Sequence, residues 1–161
     1  MKFPDPGKPL AEQDPEVLLA ITVWGEARGE GPEGKAAVAH VVLNRVKKKK
    51  SSIIKEALRP WAFSCFNKKK EHGGQDVRRL LNPVEAEGLG SWATCWRAAS
   101  EALAGQSADP TGGATHYCRR KLWLCAAVAG RPQWHDLVEV ASGRTKKTAV
   151  IGSHVFAITP F

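Results

Sequence analysis

Residues 13–28, QDPEVLLAITVWGEAR, constrain the fold of this chain more than any other stretch. Asp14 is placed to cap a helix, Pro15 takes the first helical position, and apolar residues recur at 17, 18, 21 and 24. A helix starting at Pro15 is therefore predicted, and GEGP, residues 29–32, interrupts it. The result is a carboxylate, Glu26, at the end of an apolar helix between Gly25 and Ala27. A second carboxylate, Glu30, follows four residues later.

The remaining pattern is mostly helical. PEGKAAVAHVVLNRV restarts at Pro32 and puts Val38, Val41, Val42 and Val46 on one face, with the lysines 47–50 following the last turn, where cations suit the helix dipole. SSIIKEAL, residues 51–58, opens a third, short helix that stops before Pro60. Residues 64–82 are polar and contain glycines, and read as a long loop or mobile flap. SWATCWRAASEALAG spaces Trp92, Trp96, Ala99 and Leu103 helically and ends at Gly105. In the stretch 137–158, β-branched residues flank a glycine-containing turn, which predicts a small β-hairpin near the C-terminus. The expected class is α+β, mainly helical, with residues 1–14 as a lead-in and 15–161 as a single domain.

Composition narrows the partner. The chain has 161 residues, room for one domain with a real core. Its 43% hydrophobic and 25% charged content excludes disorder and fibrous repeats. A net charge of +8 calls for an anionic partner: nucleic acid, a membrane surface or a cell-wall polymer. The N-terminal MKFPDPGKPLAEQDP lacks the apolar run of a secretory signal, and no stretch is long enough to span a bilayer, so synthesis in the cytoplasm is expected. Cys65, Cys95, Cys118 and Cys125 match neither a CxxC pair nor zinc-finger spacing and read as interior thiols.

Four separated motifs then appear in one order: WGEARGEGPEGKAAVAHVVLNRV, WAFSC, DPTGGATHYC and IGSHVF. Together, over roughly residues 17–157, the chain resembles the bacterial cell-wall hydrolases related to the spore cortex-lytic enzymes. The resemblance implies a lysozyme-like catalytic domain that cuts the glycan strands of peptidoglycan, with the glutamate of the GEARGE motif, here Glu26, as catalytic acid. Many relatives carry a secretion signal and a wall-binding module. A basic single domain without either suits a phage-type endolysin, held in the cytoplasm until a membrane pore releases it.

The residues support that chemistry on their own terms. Cleaving a glycosidic bond needs a carboxylic acid that stays protonated near neutral pH, which apolar surroundings or a nearby negative charge provide. Val23, Trp24 and Ala27 offer the first, and Glu30 the second if the helix continues that far; base rates alone would make Glu26 an exposed helix-end glutamate. In DPTGGATH, Gly112 and Gly113 allow close backbone approach, while Asp109, Thr111 and Thr115 could bond sugar hydroxyls or brace the turn. Asn44 could reach an N-acetyl group or act as a cap, and Ser64 is a family-matched polar residue. His154 reads as an interior histidine or a cleft residue, the former favoured. Trp92 and Trp96 belong to a periodic apolar face, whereas Trp61, Tyr117 and Trp134 lie off such faces and are cleft candidates.

Two rival functions are weighed. A zinc-dependent N-acetylmuramoyl-L-alanine amidase would draw ligands from His40, His72, His116, His135 and His154, yet no HExxH pair exists and His116 with Cys118 is weak evidence. A nucleic-acid-binding protein would use RVKKKK, the lysines 68–70 and GRTKKT, but these are dispersed and no base-reading motif accompanies them. The expectation is a monomer acting on peptidoglycan, with no cofactor, metal or nucleic acid. With only Glu26 motif-backed as a carboxylate, lytic transglycosylase is favoured over muramidase.

Overall fold

The computed structural model describes residues 1–67, 75–123 and 145–158. Helix α1, Pro15–Ala27, runs through the centre. Asp14 accepts from the Glu16 backbone N–H as its N-cap, with Pro15 first in the helix, as the sequence predicts. The apolar surface is wider than one face: Leu18, Leu19, Ala20, Ile21, Val23 and Trp24 are all fully buried. A helix apolar all round must be covered all round, and α1 is packed by every other long element of the helical body. Each such aliphatic side chain contributes about 1.5–3 kcal/mol of burial. Thr22 joins this core without penalty because its hydroxyl donates to the Leu18 carbonyl.

Helix α2, Pro32–Lys49, and helix α6, Leu89–Leu103, lie against α1 and each other. Lys50 closes α2 in the left-handed conformation, and Gly105 follows α6 at φ 69°. Helix α3, Ile53–Ala57, is capped by Ser52. The stretch expected to be one loop differs: it contains a 3-10 turn, Ser64–Phe66, and a helix, α4, Val77–Leu81, capped by Asp76. Leu80 buries fully in the core, which anchors α4 although five residues are too few for periodicity to show. Helix α5, Pro83–Glu87, then leads into α6.

A three-stranded antiparallel sheet covers one side: β1, His116–Arg119, β2, Lys146–Ile151, and β3, His154–Ile158, in the order β1-β3-β2. The expected hairpin is β2–β3, turning at Gly152–Ser153. Residues 137–144 of its predicted span lie outside the described residues. Strand β1 was not anticipated; it pairs Tyr117 with Phe156 and Arg119 with His154 across a large sequence gap. The N-terminal segment is tied down as well. Trp92 donates to the Lys2 carbonyl, and Gln13 donates to the carbonyls of Asp5 and Lys8.

Candidate active site

Glu26 leaves the last turn of α1 where two other segments converge. Its Oε1 accepts from the Cys65 backbone N–H at 2.6 Å and from Ser64 Oγ at 3.0 Å. Its Oε2 accepts from the Tyr117 hydroxyl at 2.8 Å and from Ser64 Oγ at 3.2 Å. Glu26 is half-buried and Ser64 exposed, so the carboxylate is fixed on its inner side and open on its outer one. The close approach of the 64–66 turn depends on Gly25: a β-carbon there would sit 2.7 Å from Cys65 Cβ and Sγ. Glycine inside a helix is unfavourable by about 0.5–1 kcal/mol relative to alanine, and this contact is its reason.

Tyr117 projects from β1 into an aromatic wall of Phe63, Phe156 and His154, at centroid distances of 6.3, 5.5 and 5.2 Å. Burial, reinforced by the negative charge of Glu26, holds its phenol well above the ordinary value, so it serves as a hydrogen-bond donor. Burial and the same charge push the Cys65 thiol up, keeping it protonated. The apolar surroundings of Glu26 therefore come from this wall. Trp24 turns the other way, donating to Ser91 Oγ with its ring under Arg28.

Helix α1 ends at Ala27, so Glu30 does not continue it as the next turn. The Glu30 N–H donates to the Ala27 carbonyl at 2.9 Å, and its carboxylate faces the β2–β3 turn. There Ser153 Oγ donates to Oε1 at 2.5 Å and His154 Nδ1 lies 3.6 Å from it. Gly152 leaves the space, since a β-carbon on it would lie 2.1 Å from Glu30 Oε2. Lys35 closes the other side by donating to the Glu30 carbonyl. Burial lowers the pKa of His154, outweighing the upward pull of Glu30 and Glu26, and Arg119 adds to the lowering. A neutral imidazole thus stands beside Glu30 and in an edge-to-face arrangement with Tyr117.

The DPTGGATH loop is braced from within. Asp109 accepts from the Thr111 N–H and hydroxyl, the Gly113 N–H and the Asn44 amide. Burial pushes its carboxyl up, but these hydrogen bonds outweigh burial and hold it below the ordinary value. Asn44 also donates to the Ala114 carbonyl, and Thr111 accepts from the Ala114 N–H. Thr111 is fully buried and Thr115 nearly so, its hydroxyl beside His116 Nδ1. Gly112 and Gly113, with φ of 64° and 82°, are the exposed part of this loop.

The structure thus brings Glu26, Glu30, Ser64, Tyr117 and His154 together, while Asn44, Asp109 and Thr111 are bonded to one another and Thr115 to His116. Trp134 lies outside the described residues. Sequence reasoning missed Gly25, Gly152, Ser153 and the Cys65 N–H. The two glycines carried a signal, sitting inside regular elements or tight turns next to the site motifs; the backbone donor carried none. The described histidines are dispersed: His40 meets Ser107, and burial together with Arg45, Lys49 and Lys48 lowers His116 to about 3. Among the described residues no three His, Cys, Asp or Glu side chains are grouped as metal ligands would be.

Three comparisons bear on this geometry. A family model described as Cell Wall Hydrolase matches residues 29–157, a span that opens just after Glu26 and includes Glu30, Ser64, Tyr117 and His154. Over 121 residues the chain is 36% identical to the spore cortex-lytic enzyme of Halalkalibacterium halodurans, covering 72% of this chain. That match takes in 30% of the relative, so this chain spans under a third of that protein's length. Two solved structures share the fold. The catalytic domain of the Bacillus cereus SleB protein has a TM-score of 0.57 at 23% identity, covering 88% of each chain. The catalytic domain of the germination-specific lytic transglycosylase SleB from Bacillus anthracis has a TM-score of 0.57 at 24% identity, covering 86% of this chain and 88% of that one.

Proposed function

This chain belongs to the cell wall hydrolase family, and on that premise we propose that it cleaves the glycan strands of peptidoglycan, with Glu26 as general acid and then general base. The observation that carries this reading is the triple hold on Glu26 by Ser64, the Cys65 N–H and Tyr117, which orients a carboxylate whose outer side is open. An oriented carboxyl group is what proton transfer to a glycosidic oxygen requires. The relatives named as cortex-lytic enzyme and lytic transglycosylase support the same substrate class.

The proposed reaction is read from the carboxylates among the described residues. A hydrolytic route of the lysozyme kind sets two carboxyl groups across the bond. Asp109 is saturated by the donors of its own loop, and Glu30 is engaged by Ser153. Glu26 therefore protonates the leaving oxygen as the bond from the anomeric carbon breaks. The sugar's own 6-hydroxyl closes on that carbon, and its proton returns to Glu26. No water is consumed, and the product ends in a 1,6-anhydro ring.

Mass spectrometry of fragments released from purified peptidoglycan tests this directly. Anhydro ends, one water lighter than reducing ends and inert to borohydride, are expected. Fragments that all carry a reducible muramic acid would make the enzyme a muramidase, and cleavage confined to the amide link would make it an amidase.

A further inference from the structure

Glu26 is held by two arms, and one buried cation touches the root of both. Its donors are Ser64 and the Cys65 N–H on one arm and Tyr117 of β1 on the other. Arg45, near the end of α2 and 5% exposed, reaches each arm just ahead of those donors. Its Nε donates to the Thr115 carbonyl at 2.5 Å, two residues before Tyr117. Its guanidinium lies over the Phe63 ring, 5.1 Å from the centroid, and Phe63 immediately precedes Ser64. Thr115 is clamped on its other side as well, where its N–H donates to the Ala157 carbonyl of β3 at 3.0 Å.

A charged group in a protein interior is costly unless its contacts are good. Both contacts here use properties that arginine combines and lysine lacks: a flat cation that lies on an aromatic face, and an N–H fixed in the same plane. The positive charge is also felt at Tyr117, where it opposes the upward push of burial and of Glu26 on the phenol. Resting on the glycan-cleaving reading above, we propose that Arg45 is a positioning residue for Glu26. It ties the Phe63 segment to β1 and so fixes the spacing of the donors between which the carboxylate is held. Proton transfer makes that spacing matter, since a displacement of about 1 Å costs about 10²-fold in rate.

Tyr117 is the single tyrosine of the chain, so tyrosine isotopically labelled at its phenol carbon gives one NMR signal that reports the bond to Glu26. Arg45→Lys keeps the charge but loses the flat face and the fixed N–H. Arg45→Met removes the charge too, and with it the burial cost that would keep a misfitted lysine from folding. In either variant kcat for release of fragments from soluble glycan strands should fall about 10–100-fold, while KM changes by less than about two-fold. The Tyr117 signal should move from its wild-type position toward that of Glu26→Gln protein, in which the charged acceptor is gone. An unmoved signal or an unchanged kcat in a folded variant overturns the proposal, and a lowered melting midpoint alongside makes Arg45 a packing residue. If the wild type releases no glycan fragments, the cleavage reading fails, and the Tyr117 signal alone then decides for or against Arg45.

Discussion

At the scale of single residues, the site is a carboxylate and the donors that aim it. Glu26 could be found in the sequence because its GEARGE motif resembles that of the cell-wall hydrolases; burial preference alone would have left it an exposed helix-end glutamate. Its partners were harder to see. Tyr117 and Ser64 are 91 and 38 positions away, and the Cys65 N–H belongs to the backbone. Glu26→Gln should abolish wall lysis, a loss of about 10²–10⁴-fold or more, while circular dichroism stays native, because the amide keeps the shape but has no proton to give. Tyr117→Phe is the finer test. It preserves the ring packed on Phe63 and Phe156 but removes the 2.8 Å donor, leaving Oε2 with Ser64 alone. A hydrogen bond to a charged group is worth about 1.5–3 kcal/mol, so the rate should fall by about 10–100-fold with little change in melting midpoint. Wild-type lysis rates in that variant would reduce Tyr117 to packing.

Among elements, legibility followed length and local punctuation. Helices α1, α2, α3 and α6 announced themselves by local punctuation: Asp14 and Pro15, Pro32, the stop before Pro60, and Gly105. Strand β1 and helix α4, four and five residues long, did not. They are too short to show a period and owe their form to distant partners, β3 for one and the α1 core for the other. The junction of α2 and α3 hides a further device. Glu56 is fully buried and accepts from Ser51 at 2.7 Å and from Arg59 at 2.7 and 3.1 Å, with Lys49 at 3.6 Å. Burial raises its pKa, but these partners outweigh burial and take it from 4.5 to about 2. The folded value lies below the unfolded one, so the stabilisation is complete above pH 4.5 and drains away as pH falls toward 2. Glu56→Gln should lower stability at pH 7 by about 2–4 kcal/mol, leaving two cations facing a neutral amide. In urea titrations the gap from wild type should close between pH 4.5 and 2. Equal midpoints at pH 7 would show the cluster to be inert.

For the whole molecule, the net charge of +8 predicts that an anionic wall attracts the chain before the proposed site can act. Much of the acidic side is already neutralised internally: Glu87 holds Arg28 and Arg79, Glu56 holds Arg59 and Lys49, and Asp14 and Glu16 share Lys2. The net charge of +8 is carried on a surface with exposed cations, among them Lys47 and Lys50 at the end of α2 and Lys146 and Lys147 on the edge strand β2. Attraction between such a surface and wall phosphates or carboxylates is screened by salt, with a Debye length of about 8 Å at physiological strength and about 3 Å at 1 M. Retention of the Glu26→Gln protein on sedimented walls should therefore fall steeply as salt rises. Reversing Lys47, Lys48 and Lys50 to Glu changes the charge by three times −2, from +8 to +2, and should flatten that dependence. Lys49 is spared because it faces Glu56. Retention that ignores both salt and charge reversal would mean that the wall is held by the glycan cleft alone.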